Sequence, residues 1–235
     1  MPAPVPLSTV PDLPACTDLM SVVYADEDVV LVNKPSGLLS VPGRDARYYD
    51  SAYSRLLARY GEIHVVHRLD MDTSGIMVLA RHKAALRNLS RQFQERLTAK
   101  HYVAWVDGKM AQAQGEIDFP LRCDWPNRPL QMIDMLFGKA SLTRYRVLAF
   151  DACKQASLVQ LYPVTGRSHQ LRVHMAALGN PILGCRFYAH EQAVSKAPRL
   201  QLHAQYLRFL HPATNLPMSQ TVLAPFVTSS SPRVV

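Results

Sequence analysis

The sequence predicts an α+β domain built on one mixed, mostly antiparallel sheet with flanking helices and loops. Strand-type runs dominate the middle of the chain, and only two stretches carry a helical repeat. Neither a regular β-α-β alternation nor a glycine-rich first turn accompanies them. Of the 235 residues 48% are hydrophobic, enough to bury a core in one folded unit, expected to have two lobes.

The chain opens on MPAPVPLSTVPDLPAC, where prolines recur among small residues. Proline fixes φ and removes a donor, so residues 1–19 are expected to form a disordered leader. Residues 20–227 are the expected folded domain, and the closing TSSSPRVV, residues 228–235, reads as a flexible tail. SVVYADEDVVLVNKP reads as two strands around an acidic turn, and IMVLAR, HYVAWVDG, SLTRYRVLAF and SLVQLYPV follow as further strands. In HKAALRNLSRQFQERLTAK the apolar Leu86, Leu89, Phe93 and Leu97 recur every three or four residues, while Lys83, Arg87 and Arg91 line another face. That is an amphipathic helix whose basic row reads first as solvated and second as an RNA-contacting face. A second helix lies around SHQLRVHMAAL, stopped by Gly179 with Pro181 beyond.

Lys and Arg total 26 against 18 Asp and Glu, a net charge of +8 that favours a polyanionic partner, nucleic acid first. Cys16, Cys123, Cys153 and Cys185 lie far apart with no Cys-x-x-Cys pair, so no metal site is expected. No signal-peptide pattern and no bilayer-length apolar run is present, and a cytoplasmic protein with reduced thiols is expected.

The densest group of reactive residue types is HRLDMDTSG, His67 to Gly75, set between Val65-Val66 and IMVLAR. A polar loop between strands is where a sheet presents a catalytic group. By residue type alone, Asp70 and Asp72 read as paired acids of the glycosidase kind, and Asp72 or Ser74 as a helix cap. The order His-Arg-x-Asp is also near a protein-kinase catalytic loop, but no Asn follows.

HRLDMDTSG resembles the HRLD-x-x-TSG signature of the RluA family of pseudouridine synthases. The likeness continues through VNKPSGLLSVPGR, KHYVAWVDG, CDWPNRP, PVTGRSHQLRVHMAALGNPILG and LQLHAQYLRFLHP, from about Asp26 to Pro212. The resemblance implies the pseudouridine synthase fold, with an active-site cleft across the sheet. It also implies roles for single residues. Asp70 matches the catalytic aspartate, and Asp72 falls on a variable position. Tyr102 matches the tyrosine that stacks near the base and is a candidate for proton transfer, and Arg172 the arginine that pairs with the aspartate. Arg68 matches the arginine that displaces the target nucleotide, and Leu202 should pack against the tyrosine. His67 and Thr73 belong to the same signature as substrate-side residues.

The SVPGR and CDWPNRP stretches are most similar to the dual-specificity branch, which modifies both 23S ribosomal RNA and the anticodon stem-loop of certain tRNAs. Two departures bear on substrate preference: Cys185 stands where an acidic residue commonly follows PILG, and QMIDMLFGK replaces a more basic run. Alternatives are the same reaction on a single RNA class, or a non-catalytic RNA-binding or ribosome-assembly factor. Larger relatives carry an N-terminal domain of the S4 type, and none is expected here.

Pseudouridine formation breaks the uracil N1 bond to C1′, turns the ring and rejoins it through C5, so no cofactor is expected. A carboxylate can act as nucleophile or as base in the first stage, and an Arg fork suits it better than Lys. The target base has to be flipped out, which costs a few kcal/mol. Arg68 could fill the vacated stack, while Lys34, Arg44, Arg128 and Arg167 are expected phosphate contacts. The partner is thus structured RNA, bound by a monomer, with no membrane and no metal.

Overall fold

Val29 to Val32 and Ile76 to Ala80 are continuous β-branched and aliphatic runs, the pattern of strands covered on both faces. The computed structural model describes residues 15–227; the expected tail and the first fourteen residues of the expected leader lie outside the described residues. In chain order the strands are β1 (Ser21–Ala25), β2 (Val29–Lys34), β3 (His64–Val65), β4 (Ser74–Ala80), β5 (Ala99–Asp107), β6 (Gln114–Asp118), β7 (Leu121–Cys123), β8 (Gln131–Ile133), β9 (Leu142–Asp151), β10 (Ala156–Pro163), β11 (Leu202–Leu210) and β12 (Pro217–Thr221). The helices are α1 (Ala52–Tyr60), α2 (Lys83–Gln94), α3 (Gln170–Ala177) and α4 (Glu191–Ser195).

Ten strands form one sheet in the order β1-β2-β4-β11-β5-β10-β9-β6, with β3 also on β4 and β12 also on β11. Every pairing is antiparallel except β11 with β4, which meet over His203–Ser74 and Ala204–Gly75. This is the mixed, mostly antiparallel sheet of an α+β domain. β7 and β8 make a separate hairpin.

Helices cover the sheet on both sides. Ala52 and Leu56 of α1 pack on Val30, Val32, Met77 and Leu79, while Ala85 and Leu89 of α2 pack on Val29, Leu31, Ile76 and Val78. In the other half, Leu171 and Met175 of α3 share a cluster with Ala104, Val106, Val159 and Leu161. Each fully buried Leu, Val or Ile contributes about 1.5–3 kcal/mol of transfer free energy. The side chain of Gln92 fastens α2 to β11, donating to the Leu210 carbonyl and accepting from its amide, both at 2.8 Å.

The spacing in the sequence places α2 and α3 correctly, while the short α4 was not expected, and two further differences have a physical reason. Leu97 lies past the end of α2 and is 54% exposed, because Arg96 at φ 60° turns the chain away. The helix α1 was not expected. Its start is a capping box in which Ser51 and Ser54 cap each other, and Gly61 at φ 77° closes it. Arg55 on this helix donates to the carbonyls of Cys16 and Asp18, at 2.7 and 2.8 Å, which ties the backbone at those two residues to α1.

Gly75 opens β4 at φ 120°, and a Cβ there would run into the Ala204 carbonyl. Only glycine lets β4 and β11 approach so closely directly after the Asp70 loop.

Candidate active site

The loop from Leu69 to Thr73 is bolted to the segment that follows β2. Ser40 Oγ donates to the Leu69 carbonyl (2.7 Å) and accepts from its amide (3.1 Å). Gly37 N–H donates to the Met71 carbonyl at 2.9 Å and Ser36 Oγ to that of Asp72 at 2.6 Å. Thr73 N–H closes the turn on the Asp70 carbonyl at 3.1 Å. Lys34, with no exposed surface, gives its ammonium to three carbonyls: Pro35 at 2.9 Å, Leu38 at 2.7 Å and Met71 at 2.9 Å. Burial pulls its pKa down to about 7, against the pull of Cys16, Asp72 and Asp70. The expectation that Lys34 holds phosphate is therefore corrected: Val30, Val32 and Lys34 alternate onto one covered face, and its donors are spent on backbone.

Asp70 faces Arg172, which α3 brings from 102 residues away. Nη1 of Arg172 lies 3.4 Å from Asp70 Oδ2. The guanidinium is 2% exposed, its Nε donates to Cys185 Sγ at 3.4 Å, and it lies 5.0 Å over the ring of Phe187. Its Nη2 is buried with no acceptor among the described residues.

Tyr102 packs against both the α1-side and the α3-side clusters, so it sits where the two half-cores meet. Burial, helped by the Asp70 carboxylate, pushes its phenol well above the ordinary value. At neutral pH its phenol keeps its proton. Leu202 is buried in the α3-side cluster, diagonal to Tyr102 across the β11–β5 pairing, and both line the same cleft.

That cleft, about 1570 Å³, exceeds the roughly 300–1,000 Å³ of small-molecule pockets. Eight Arg and Lys residues line it against two carboxylates, Asp70 and Glu116, and Glu116 is already paired with Arg144 at 2.7 Å. A polyanion fits that balance.

The other expected residues divide. Arg68, Arg128 and Arg167 are exposed on the cleft wall, with Arg128 4.4 Å over the Trp125 ring and Arg167 Nε on the Ala140 carbonyl at 3.3 Å. Thr73 is buried in the loop at the cleft floor. His67 borders the cleft, but its ring serves the fold. Nε2 accepts the Val78 amide at 3.1 Å, Phe93 stacks on it at 4.6 Å, and burial drives its pKa to about 3. Arg44 is exposed but not among the cleft-lining residues, and neither are Lys83, Arg87 and Arg91.

The model of the family described as RNA pseudouridylate synthase matches residues 28–177, more than half of the chain. The chain belongs to this family. A relative of this synthase from Salmonella typhimurium, named dual-specificity RNA pseudouridine synthase RluA, is 54% identical over 87% of the chain and 93% of its own length. One of the same name from Haemophilus influenzae is 50% identical over 88% and 94%. Among solved structures, human RNA Pseudouridylate Synthase Domain Containing 1 superposes with a TM-score of 0.76 at 31% identity, covering 91% of this chain and 87% of that one.

Sequence reasoning missed several residues of the synthase site. Arg144 and Arg146 are exposed on one face of β9 and line the cleft, a signal present in the alternation T-R-Y-R. Arg96 and Lys100 line it as well, beside the turn that ends α2. His169, Phe187 and Tyr188 reach Asp70 and Arg172 only through tertiary folding, and no local pattern marks them.

Proposed function

We propose that this chain isomerises uridine to pseudouridine in both 23S ribosomal RNA and the anticodon stem-loop of tRNAs. The observation that carries the reaction is Asp70 paired with Arg172 at the floor of a cleft lined by cations. Dual specificity is supported by relatives of that name at 50–54% identity over most of the chain.

Asp70 supplies the carboxylate that acts on the ribose, as nucleophile or base, and Arg172 holds it in place with a fork that keeps its charge. Tyr102 stacks on the displaced base with its proton retained, and Leu202 supports it from β11. Arg68, free of partners among the described residues, enters the stack vacated by the flipped nucleotide. Arg128 and Arg167 contact phosphates along the cleft, and Thr73 and His67 hold the loop that presents Asp70. The N1–C1′ bond breaks and a C5–C1′ bond forms. N1 gains a proton and C5 loses one, so atoms and electrons balance with no cofactor or metal. In this reading the enzyme acts as a monomer in the cytoplasm.

The test is release of tritium from C5-labelled transcripts of ribosomal and tRNA stem-loops. Release from both classes is expected from the parent, and none from Asp70→Asn, which should still bind RNA. Release from one class alone would narrow the substrate, and an Asp70→Asn variant as active as the parent would remove Asp70 from its role.

A further inference from the structure

His169 stands at the start of α3 in the left-handed region, φ 53° and ψ 12°, and its side chain makes no capping hydrogen bond. Left-handed backbone at a non-glycine residue is uncommon and is kept where surrounding contacts demand it. Here the contacts come from the ring. Nδ1 lies 2.6 Å from Tyr188 Oη, Phe187 stacks on the imidazole at 5.6 Å, and Nε2 lies 3.9 Å from Asp70 Oδ2.

The hydrogen-bond pattern around Tyr188 assigns the tautomer. Its phenol oxygen accepts the Gln131 amide at 2.9 Å, and burial pushes its pKa up to about 12, so it keeps its proton. That single proton has one nearby acceptor, His169 Nδ1. Nδ1 is then bare, and Nε2 carries the hydrogen toward Asp70. Burial lowers the imidazole pKa, with Asp70 pulling it up and Arg172 pushing it down, which agrees with a neutral ring.

Two donors thus converge on the same oxygen. Arg172 Nη1 and His169 Nε2 both face Asp70 Oδ2, while Oδ1 takes no hydrogen bond among the described residues and the side chain is 26% exposed toward the cleft. We propose that His169 is a positioning residue whose Nε2–H, fixed by Tyr188, joins Arg172 on Oδ2 and leaves Oδ1 as the oxygen that meets the ribose. The 3.9 Å gap closes when RNA seats in the cleft, as catalytic hydrogen bonds often tighten on substrate binding. This deepens the catalytic reading above and rests on it for the role of Asp70.

Two measurements test it. In the full-length protein labelled with ¹⁵N-histidine, the His169 signals, assigned by their loss in His169→Phe, should show a bare Nδ1 and a protonated Nε2 with no RNA present. Tyr188→Phe should release that preference. In single-turnover tritium release, His169→Phe should lose about 10- to 100-fold in rate, by analogy with groups that orient a metal ligand, with KM unchanged within about twofold. His169→Gln, which restores an amide donor, should recover most of the rate. The opposite tautomer, a charged ring, or an undiminished rate in His169→Phe would overturn the proposal. The tautomer is read without RNA or turnover, so an active Asp70→Asn variant would sink the catalytic reading separately.

Discussion

Lys34 donates its ammonium to the carbonyl of Met71, the residue next to Asp70, across 37 positions of sequence. With its bonds to Pro35 and Leu38 it ties the stretch after β2 to the loop that carries Asp70. Lys34→Met leaves three carbonyls without this donor and should cost about 2–4 kcal/mol in urea unfolding. Its folded pKa, about 7, lies below the unfolded value, so the folded state binds fewer protons between pH 7 and the unfolded pKa. The stability advantage of the parent over Lys34→Met should therefore grow as pH rises from about 7 toward 10 and level off at its lowest value below about 7, where both states hold the proton. A difference independent of pH would place the lysine outside the buried pocket.

Salt dependence separates Lys34 from the cleft wall. Arg128→Ala and Arg167→Ala should each flatten the log-log slope of RNA affinity against salt by about 0.7–0.9, the value for one phosphate contact. Lys34→Met should leave the slope unchanged, and a titration at several salt concentrations reads both.

Arg172→Lys keeps a positive charge but loses the planar fork and the stacking on Phe187. Single-turnover rate should drop by about 100-fold or more with RNA affinity nearly intact. A lysine variant turning over at the parental rate would show that charge alone suffices.

Gly75→Ala forces a side chain into the Ala204 carbonyl at a φ of 120°. Destabilisation of roughly 3 kcal/mol or more is expected in equilibrium unfolding, along with lost activity as β4 and β11 part.

Much of this architecture was legible in the residues. Strand-type runs marked β1, β2, β4, β5, β9 and β10 but not the short β3, β6, β7, β8 and β12 or the long β11, three-four spacing marked α2 and α3, and the motif from His67 to Gly75 marked the loop that carries Asp70. The helix α1 was missed because it is nine residues long and its capping box uses Ser54 where a glutamate would have signalled it. Lys34 was misread as a loop cation although Val30 and Val32 share its face, a case where period two outweighs charge. That Asp70 meets Arg172 was expected only from resemblance, since no spacing rule joins residues 102 apart. The reach of His169 to the same carboxylate depends on how α3 enters from a left-handed turn, which no pattern of residue types encodes.

The two halves of the sheet meet where β4 runs parallel to β11, paired at His203 with Ser74 and Ala204 with Gly75. On the α2 side Gln92 clasps Leu210, and Leu207 and Phe209 of β11 share a buried cluster with Val29, Leu31, Ile76 and Val78, so packing closes the seam as well. Asp70 precedes β4 on one side of this seam and Arg172 follows β10 on the other, so whatever disturbs the seam also sets the spacing of carboxylate and guanidinium.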